Sequence, residues 1–476
     1  MISQWRVLAA HADFRRLFAG GSVSQLGSTV TSVALPLTAV LLLDASPLQM
    51  GLLGAAGFLP HLVLGLPAGV WVDRWPYRRV LVLTDLIRAV ALAAVPVLAA
   101  LGLLQIWQLA VIAVVTGTCS VFSAIAEGSF LPDLVPRGEL LAANSAIAIR
   151  NSVASTSGTA LGGLLVQLLT APVAIILDAV SYLGSAVCVA RIRVPGHRSA
   201  PARERRFLRD IGEGIRVVFG RPELRALTTS ATIGALAGQL QAVVVMLFLV
   251  RDLQLAPALI GILLAVSGVA GIAGAAVGVP ITRRLGHGPA YIAGTLVSSL
   301  AGVVLALAGG PLPLVLAVVV TARLLQGWGP TLYGINQQTL RQTLIPTDLL
   351  PRAQATWRFL VFGMQPVGAL LGGVLGSFVG LRGTLVAGSV IMLAGTVVAW
   401  LSPLRSLREL PDQPASAAGA SDLDTSGTDS GATGPGVTGS GVTGSGVTGS
   451  GVTGSGVTGS GVTGSGLAAD GRASSV

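Results

Sequence analysis

The chain has 476 residues, of which 52% are hydrophobic and only 11% are charged, and its net charge is +10. Soluble proteins carry roughly a quarter charged residues, so this composition excludes a set of water-soluble domains. It fits a protein that crosses the membrane many times. All 30 basic residues are Arg. Most lie in short connections between apolar segments, which favours a role in membrane orientation over nucleic-acid binding.

The first predicted elements are long apolar segments. A helix needs about 20 mostly apolar residues to cross a bilayer, and lipid cannot satisfy the polar groups of an open backbone. We therefore predict an all-α polytopic membrane protein with twelve transmembrane helices. The predicted spans are 17–43, 48–72, 80–101, 104–127, 140–168, 172–190, 224–250, 257–281, 289–308, 313–337, 351–379 and 382–402.

Arginine is distributed unequally between the two ends of these spans. On one side only Arg251 and Arg382 occur, so the arginine-rich side is expected to be cytoplasmic. Both termini and the central loop then face the cytoplasm. The rich side holds Arg6, Arg15, Arg16, Arg74, Arg78, Arg79, Arg137, ten arginines between 191 and 225, Arg283, Arg284, Arg341, Arg405 and Arg408.

Three segments lie outside the two sets of six spans, 17–190 and 224–402. Residues 1–16 are a cytoplasmic N-terminus. The central loop, 191–223, has apolar residues at helical spacing between Phe207 and Phe219, which predicts an amphipathic helix on the membrane surface or a solvated linker helix. The tail, 403–476, contains six consecutive Gly-Val-Thr-Gly-Ser repeats. Such a tract cannot bury a core and is predicted to be disordered.

The two sets of spans match each other at a nearly constant offset of 210 residues. This register predicts two homologous six-helix halves in the same orientation, as in major facilitator transporters, whose substrate site lies between the halves. The matched pairs are Pro47 with Pro257, Gly51 with Gly261, Pro136 with Pro346, Asn144 with Gln354, Gly158 with Gly368, Gly162 with Gly372, and Gly163 with Gly373.

The connection after the second span reads Gly69-Val70-Trp71-Val72-Asp73-Arg74 and continues to Arg78 and Arg79. It resembles the signature loop of the major facilitator superfamily. The resemblance implies that Gly69 permits close helix packing and that Asp73 lies near the N-terminus of the eleventh span. The arginines would pair with an acid, Glu127 being the first choice. We call Gly69, Asp73, Arg74, Arg78, Arg79 and Glu127 the conformational latch.

The alternative for these arginines is a role in topology alone. A degenerate copy of the loop at 278–284 keeps a Gly and the paired Arg but lacks the Asp. Any latch on that side is expected to be weaker.

Further stretches at 84–89, 131–136 and 178–182 resemble the macrolide-efflux and enterobactin-exporter branch of the drug:proton antiporters, over about residues 13–405. The fifth span carries Gly158-Thr159-Ala160-Leu161-Gly162-Gly163, which resembles the antiporter motif Gly-Pro-x-x-Gly-Gly with Thr159 in place of Pro. Such small residues also let helices pack closely. The predicted helix-packing residues are Gly158, Gly162, Gly163, Gly368, Gly372 and Gly373.

Polar side chains recur along one face of the first, fourth and tenth spans. In the superfamily these helices line the transport cavity, so the stripes are candidate cavity surface, with hydrogen bonding between helices as the alternative. The candidates are Gln25, Ser28, Ser32, Thr116, Ser120, Ser123, Arg323, Gln326 and Tyr333.

Proton coupling requires a titratable group within the membrane. The candidates are Asp178, Glu127, His61 and Asp85. Asp85 lies three residues from Arg88 and is expected to pair with it. Asp178 can carry a proton or serve as a hydrogen-bonded structural acid. One of three deep arginines is expected to neutralise Asp178 or Glu127, namely Arg150, Arg323 or Arg358.

Together these features predict a bacterial cytoplasmic-membrane transporter that exports a hydrophobic or amphipathic small molecule in exchange for protons. Alternatives are an importer with the same fold and a non-transporting receptor or scaffold. No enzyme motif, metal-ligand spacing or cofactor motif is found in the sequence. The expected partners are the small-molecule substrate, protons and the lipid bilayer, and the expected state is a monomer.

Overall fold

The structure is a computed structural model that describes residues 2–65, 67–193, 207–346 and 349–409. The predictions for 194–206 of the central loop and for the repeat tail beyond residue 409 lie outside the described residues.

The N-terminal half consists of a short first helix followed by the elements of six spans. Sequence analysis predicted no element before residue 17, so α1 and the first turn of α2 are additions. The helices are α1 (Ile2–Ala10), α2 (Ala12–Leu41), α3 (Pro47–Leu64), α4 (Pro67–Val72), α5 (Tyr77–Ala100), α6 (Ile106–Leu134), α7 (Leu140–Leu169) and α8 (Ala171–Ala190).

The C-terminal half begins with the predicted central helix and repeats the pattern of six spans. A π-helical turn, Phe248–Asp252, extends the first of these spans. The helices are α9 (Phe207–Gly220), α10 (Pro222–Leu247), α11 (Pro257–Leu285), α12 (His287–Ala306), α13 (Leu312–Leu344), α14 (Leu350–Phe378) and α15 (Gly380–Leu401).

Within the described ranges, twelve helices are long and apolar enough to cross a membrane, which confirms the twelve predicted spans. The second span was predicted as one continuous helix over 48–72, and here the structure differs from the prediction. It is divided into α3 and α4. The second piece begins at Pro67, which has no backbone N–H and cannot continue the hydrogen-bond ladder of the preceding helix.

A side-chain cap fixes the start of α3. Ser46 Oγ accepts a hydrogen bond from the Gln49 backbone N–H at 3.3 Å, and Gln49 Oε1 accepts from the Ser46 N–H at 2.8 Å. Two N-terminal donors are thereby satisfied reciprocally. The turn between α2 and α3 is therefore set locally, at one end of the cavity described below.

The two halves use equivalent helix pairs. Within the N-terminal half α2 packs against α7 and α8, and within the C-terminal half α10 packs against α14 and α15. Between the halves α7 packs against α11, and α3 packs against α14. These inter-half pairs are exchanged by the repeat, so the contacts have the approximate two-fold symmetry that the sequence register predicts.

Glycines make the contacts within each half possible. A methyl group at Gly158 would lie 2.6 Å from Cβ of Thr29 on α2. Its repeat partner Gly368 would meet the carbonyl oxygen of Leu236 on α10 at 2.3 Å. Small residues at such positions let two backbones approach each other closely.

The next glycine in each motif faces the other half. A methyl group at Gly163 would lie 2.6 Å from Cα of Gly261, and one at Gly373 would lie 2.9 Å from Cα of Gly51. All four glycines lie near the helix ends remote from the start of α2 and the end of α15. The halves therefore meet backbone to backbone at this end of the bundle, which we call the closed end.

The predicted amphipathic helix of the central loop is present as α9, which packs against α14 and α10. A methyl group at Gly214 would lie 2.8 Å from the carbonyl oxygen of Arg352, and Glu213 forms an ion pair with Arg352. Val218 is buried. One face of α9 is therefore covered by α14.

Candidate transport cavity

A cavity of about 790 Å³ lies between the two halves. Its wall includes side chains of five helices from each half and is largely apolar. Bilayer-spanning proteins tolerate polar groups mainly at such interior surfaces. The polar lining residues are Ser28, Thr31, Ser32, His61, Thr116, Ser120, Asp178, Tyr182, Gln239, Gln241, Ser267, Ser298, Arg323, Gln326 and Tyr333.

Most of the candidate cavity residues lie in this wall. These are Ser28, Ser32, Thr116, Ser120, Arg323, Gln326 and Tyr333. Gln25 and Ser123 are not among the lining residues. Ser123 instead accepts a hydrogen bond from Arg88 Nη2 at 2.7 Å, so it serves the alternative role of a bond between helices.

Asp178 is almost completely buried, with 1% of its surface exposed, and it borders the cavity. Thr31 donates to Asp178 Oδ2 at 2.6 Å, and Ser181 donates to Oδ1 at 3.1 Å. A methyl group at Gly27 would lie 2.5 Å from Oδ1. The absence of a side chain there lets α2 approach the carboxylate, which two hydroxyl groups hold in place.

A second polar chain runs beside Asp178. The hydroxyl groups of Ser28 and Tyr182 lie 2.7 Å apart, and the Arg88 guanidinium carbon lies 5.0 Å from the centre of the Tyr182 ring. The expected pair of Asp85 with Arg88 is present at 3.8 Å. Asp85 does not line the cavity, so the structure gives it a buried ion pair behind the wall.

Glu127 pairs with Arg150 at 3.1 Å. This corrects the first-choice prediction, in which Glu127 would pair with an arginine of the signature loop. The partner is instead one of the three deep arginines named for this purpose. Arg150 also lies 6.0 Å from the centre of the Phe18 ring, so α2, α6 and α7 meet at this pair. Glu127 is not a cavity-lining residue.

His61 lines the cavity where α3 faces α14. Its ring centre lies 6.2 Å from that of Phe58 and 6.3 Å from that of Phe362 in the other half. The buried Nδ1 atom has no hydrogen-bond partner among the described residues. His61 therefore lies at an inter-half contact, in a mainly aromatic environment.

The cavity wall of the C-terminal half carries one cation. Arg323 is 5% exposed, and its Nη1 donates to Gln326 Oε1 at 2.6 Å. Its Nε and Nη2 atoms have no hydrogen-bond partner in the described parts of the chain. Arg358, the third deep arginine, is not among the lining residues.

The predicted latch contacts of the signature loop are absent from the described residues in this conformation. A methyl group at Gly69 would meet nothing within 4 Å, so the expected close helix contact is absent at this position. Asp73, Arg74 and Arg79 are exposed, with no side-chain partner recorded in the described ranges. Arg78 donates to the carbonyl oxygen of Ile192 at 2.8 Å. The latch residues are therefore not assembled here.

The two arginines on the otherwise arginine-poor side, Arg251 and Arg382, each lie within ion-pair distance of an aspartate. Arg251 forms an ion pair with Asp44 of the other half and donates to the carbonyl oxygen of Ala45 at 3.0 Å. Arg382 lies 3.9 Å from Asp252 and donates to the carbonyl oxygen of Ala308. These contacts add an ion pair between the halves at the closed end.

Several lining residues were not predicted. They include Thr31, Gln239, Gln241, Ser267 and Ser298. The internal repeat offers one signal by which a further lining residue could have been found, because Gln241 is the 210-residue counterpart of Thr31.

No group of three His, Cys, Asp or Glu side chains suited to a metal ion occurs among the described residues.

The fold and the cavity together define a class of protein. Two homologous six-helix halves around a central cavity are the architecture of major facilitator transporters. A bacterial homologue of the human lysosomal transporter Spinster has a TM-score of 0.63 at 16% identity, covering 85% of this chain and 98% of that one. The nucleoside transporter NupG has a TM-score of 0.66 at 11% identity, covering 81% and 98%. These likenesses show the fold.

The sequence then identifies the family. The family model described as transmembrane secretion effector matches residues 2–429, and the chain belongs to this family of major facilitator proteins. Among its relatives is the multidrug efflux pump Tap of Mycolicibacterium fortuitum, 28% identical over 391 residues, which cover 80% of this chain and 93% of the pump. Macrolide efflux protein A of Streptococcus pyogenes is 25% identical over 222 residues, covering 46% and 54%.

Proposed function

We propose that this protein exports a hydrophobic or amphipathic small molecule from a bacterial cell in exchange for protons. The cavity between the halves is the observation that carries the proposal. Its volume of about 790 Å³ lies within the range of sites for drug-sized molecules, and its wall is mostly apolar with a few fixed polar groups. The similarity to a multidrug efflux pump and to a macrolide efflux protein supports export as the direction.

Alternating access is the mechanism we propose. The backbone contacts of Gly163 with Gly261 and of Gly373 with Gly51 join the halves at the closed end. Arginine enrichment supports a cytoplasmic location of the opposite end, with the termini. The cavity in this conformation then accepts substrate from the cytoplasmic side. Separation of the glycine contacts and assembly of the latch would form the opposite state.

Asp178 is the proton carrier in this scheme. It is the acid that lines the cavity, whereas Asp85 and Glu127 pair with arginines behind the wall. Loss or gain of its proton changes the hydrogen bonds that Thr31 and Ser181 can make with it. Because α2 and α8 meet at this carboxylate, its charge state would bias one conformation of the N-terminal half. We propose that the monomer is the transporting unit.

Cellular accumulation of labelled compounds tests the proposal. Cells expressing the protein should accumulate less of at least one lipophilic compound than cells with an empty vector, and a protonophore should remove the difference. Increased accumulation would indicate an importer. Unchanged accumulation of compounds that the purified protein binds would indicate a receptor or scaffold. Export that persists with a protonophore would contradict proton coupling.

A further inference from the structure

The two formal charges in the cavity wall are satisfied to different degrees. Asp178 belongs to the N-terminal half and accepts hydrogen bonds from Thr31 and Ser181. Arg323 belongs to the C-terminal half, and two of its three guanidinium nitrogens have no described partner. The unsatisfied charge of the cavity is therefore the positive one.

No carboxylate of the same half compensates Arg323. The acids in the described part of the C-terminal half are Asp210, Glu213, Glu223, Asp252 and Glu409, and all lie outside the interiors of its spans. No carboxylate among the described residues forms an ion pair with Arg323 at 4.0 Å or less. A buried charge without a partner is costly, and an ionisable residue within the membrane is by default part of a functional site.

The neighbouring residue orients the cation. Gln326 lies one helical turn from Arg323, also lines the cavity, and accepts the hydrogen bond from Nη1. This bond fixes one arm of the planar guanidinium. The Nε and Nη2 donors are left for a ligand, and a guanidinium presents paired donors that match an oxyanion with two oxygens. Both atoms are buried in this conformation, so binding of an anion requires the Arg323 side chain to rotate toward the ligand.

We infer that Arg323 binds the anionic head of the substrate, so that the transported class is an amphipathic organic anion, typified by a carboxylate with an apolar body. This inference deepens the proposed function and rests on it. The apolar wall holds the body of the molecule, and Gln326 positions the guanidinium against its head. The substrate thereby supplies the partner that the C-terminal half lacks.

Paired probes test the charge requirement. Dansylaminoundecanoic acid and its methyl ester differ in the carboxylate alone. The purified full chain should bind the acid roughly tenfold more tightly than the ester, as expected for a hydrogen bond to a charged group. Arg323→Gln should remove this preference and leave ester binding intact. Arg341→Gln is the matched control, since Arg341 is on the same helix and buried but does not line the cavity.

A ligand-free measurement decides the question even when neither probe binds. Arg323→Met removes an unpaired buried charge and should raise the midpoint of thermal unfolding of the empty protein. Arg341→Met should lower it, because Arg341 bonds Gln354 at 3.1 Å and stacks on Trp357 at 3.7 Å. A comparable destabilisation by both changes would show that Arg323 has partners in the protein, and would overturn the inference.

Other outcomes separate the inference from the proposed function. Equal binding of acid and ester by the wild-type chain, with export of the ester intact, would overturn the anion site and leave the exporter standing. A stabilising effect of acetate alone as large as that of the dansyl acid would indicate a free-anion site and overturn the substrate class. A retained acid preference without any export would support the site and contradict the exporter.

Discussion

The two halves of this transporter share their packing and differ in their charges. Gly163 against Gly261 and Gly373 against Gly51 are the same contact made twice. The N-terminal half nevertheless has three acids within its spans, the buried Asp85 and Asp178 and the partly buried Glu127, each with a described partner. The described span interiors of the C-terminal half contain none.

Equivalent positions show how the difference arises. Asp178 and Thr31 correspond at the 210-residue offset to Gly388 and Gln241. In the C-terminal half Gln241 donates to Ser389 at 3.0 Å, and its side chain fills the space beside Gly388. A neutral amide thus occupies the place of the carboxylate. Arg323 corresponds to Ala113, which also lines the cavity, so the cation is likewise confined to one half.

The comparison separates two kinds of constraint. Backbone contacts that require glycine are retained in both copies of the repeat, because any side chain would separate the helices. Charged residues are not required for packing and can differ between copies. We therefore propose that the N-terminal half carries the proton and that the C-terminal half binds the charged head of the substrate.

The largest effect is expected at the glycine contacts that both halves share. Gly163→Ala places a methyl group 2.4 Å from the carbonyl oxygen of Pro257. Such overpacking costs about 1–3 kcal/mol, which shifts a conformational equilibrium roughly 5–150-fold. Efflux at matched expression should fall accordingly, and Gly373→Ala should have a similar effect.

Gly184→Ala is the control, because a methyl group there would meet nothing within 4 Å. Wild-type efflux by Gly163→Ala, Gly373→Ala and Gly184→Ala alike would show that the closed end does not depend on backbone contact. A loss in Gly163→Ala alone would show that the two inter-half contacts are not equivalent.

A smaller effect is expected at the signature loop. Asp73 is exposed here and lacks a described partner, so Asp73→Asn should leave membrane insertion unchanged and slow the conformational cycle by roughly fivefold, equivalent to about 1 kcal/mol. Thr282→Asn changes the corresponding position of the degenerate copy and should have less effect. Normal efflux by Asp73→Asn at normal expression would remove the latch from the mechanism.

The smallest effect is expected for the ion pair of Asp44 with Arg251. Both side chains are solvent-accessible, and such pairs contribute about 0.2–1 kcal/mol. A double-mutant cycle with Asp44→Asn and Arg251→Gln should yield a coupling of this size in efflux, and high salt should remove it. The Asp252–Arg382 pair joins elements of one half, so its cycle should yield no coupling in efflux.

The sequence predicted the twelve spans well, because hydropathy reports directly on burial in lipid. It did not predict the division at Pro67, where continuous apolarity hides a break in the helix. Helical spacing likewise placed Ser120 and Ser123 on one stripe, although Ser123 binds Arg88 behind the wall. Spacing along one helix does not reveal which neighbour covers each side.

Long-range pairs were the least predictable feature. The partner of Glu127 is Arg150, on the next span, and no pattern within α6 distinguishes it from the loop arginines. Gly163 and Gly373 were predicted as helix-packing residues, but their partners in the other half, Gly261 and Gly51, emerge only when the halves are assembled.

Proton movement in proteoliposomes tests the proposal that the N-terminal half carries the proton through Asp178. With wild-type protein, an imposed substrate gradient should drive a measurable pH change across the vesicle membrane. Asp178→Asn should abolish this pH change while retaining substrate exchange between the two sides, and Asp252→Asn, outside the cavity, should behave as the wild type. Undiminished proton movement in Asp178→Asn would contradict the assignment of the proton to Asp178 and transfer it to Glu127 or His61.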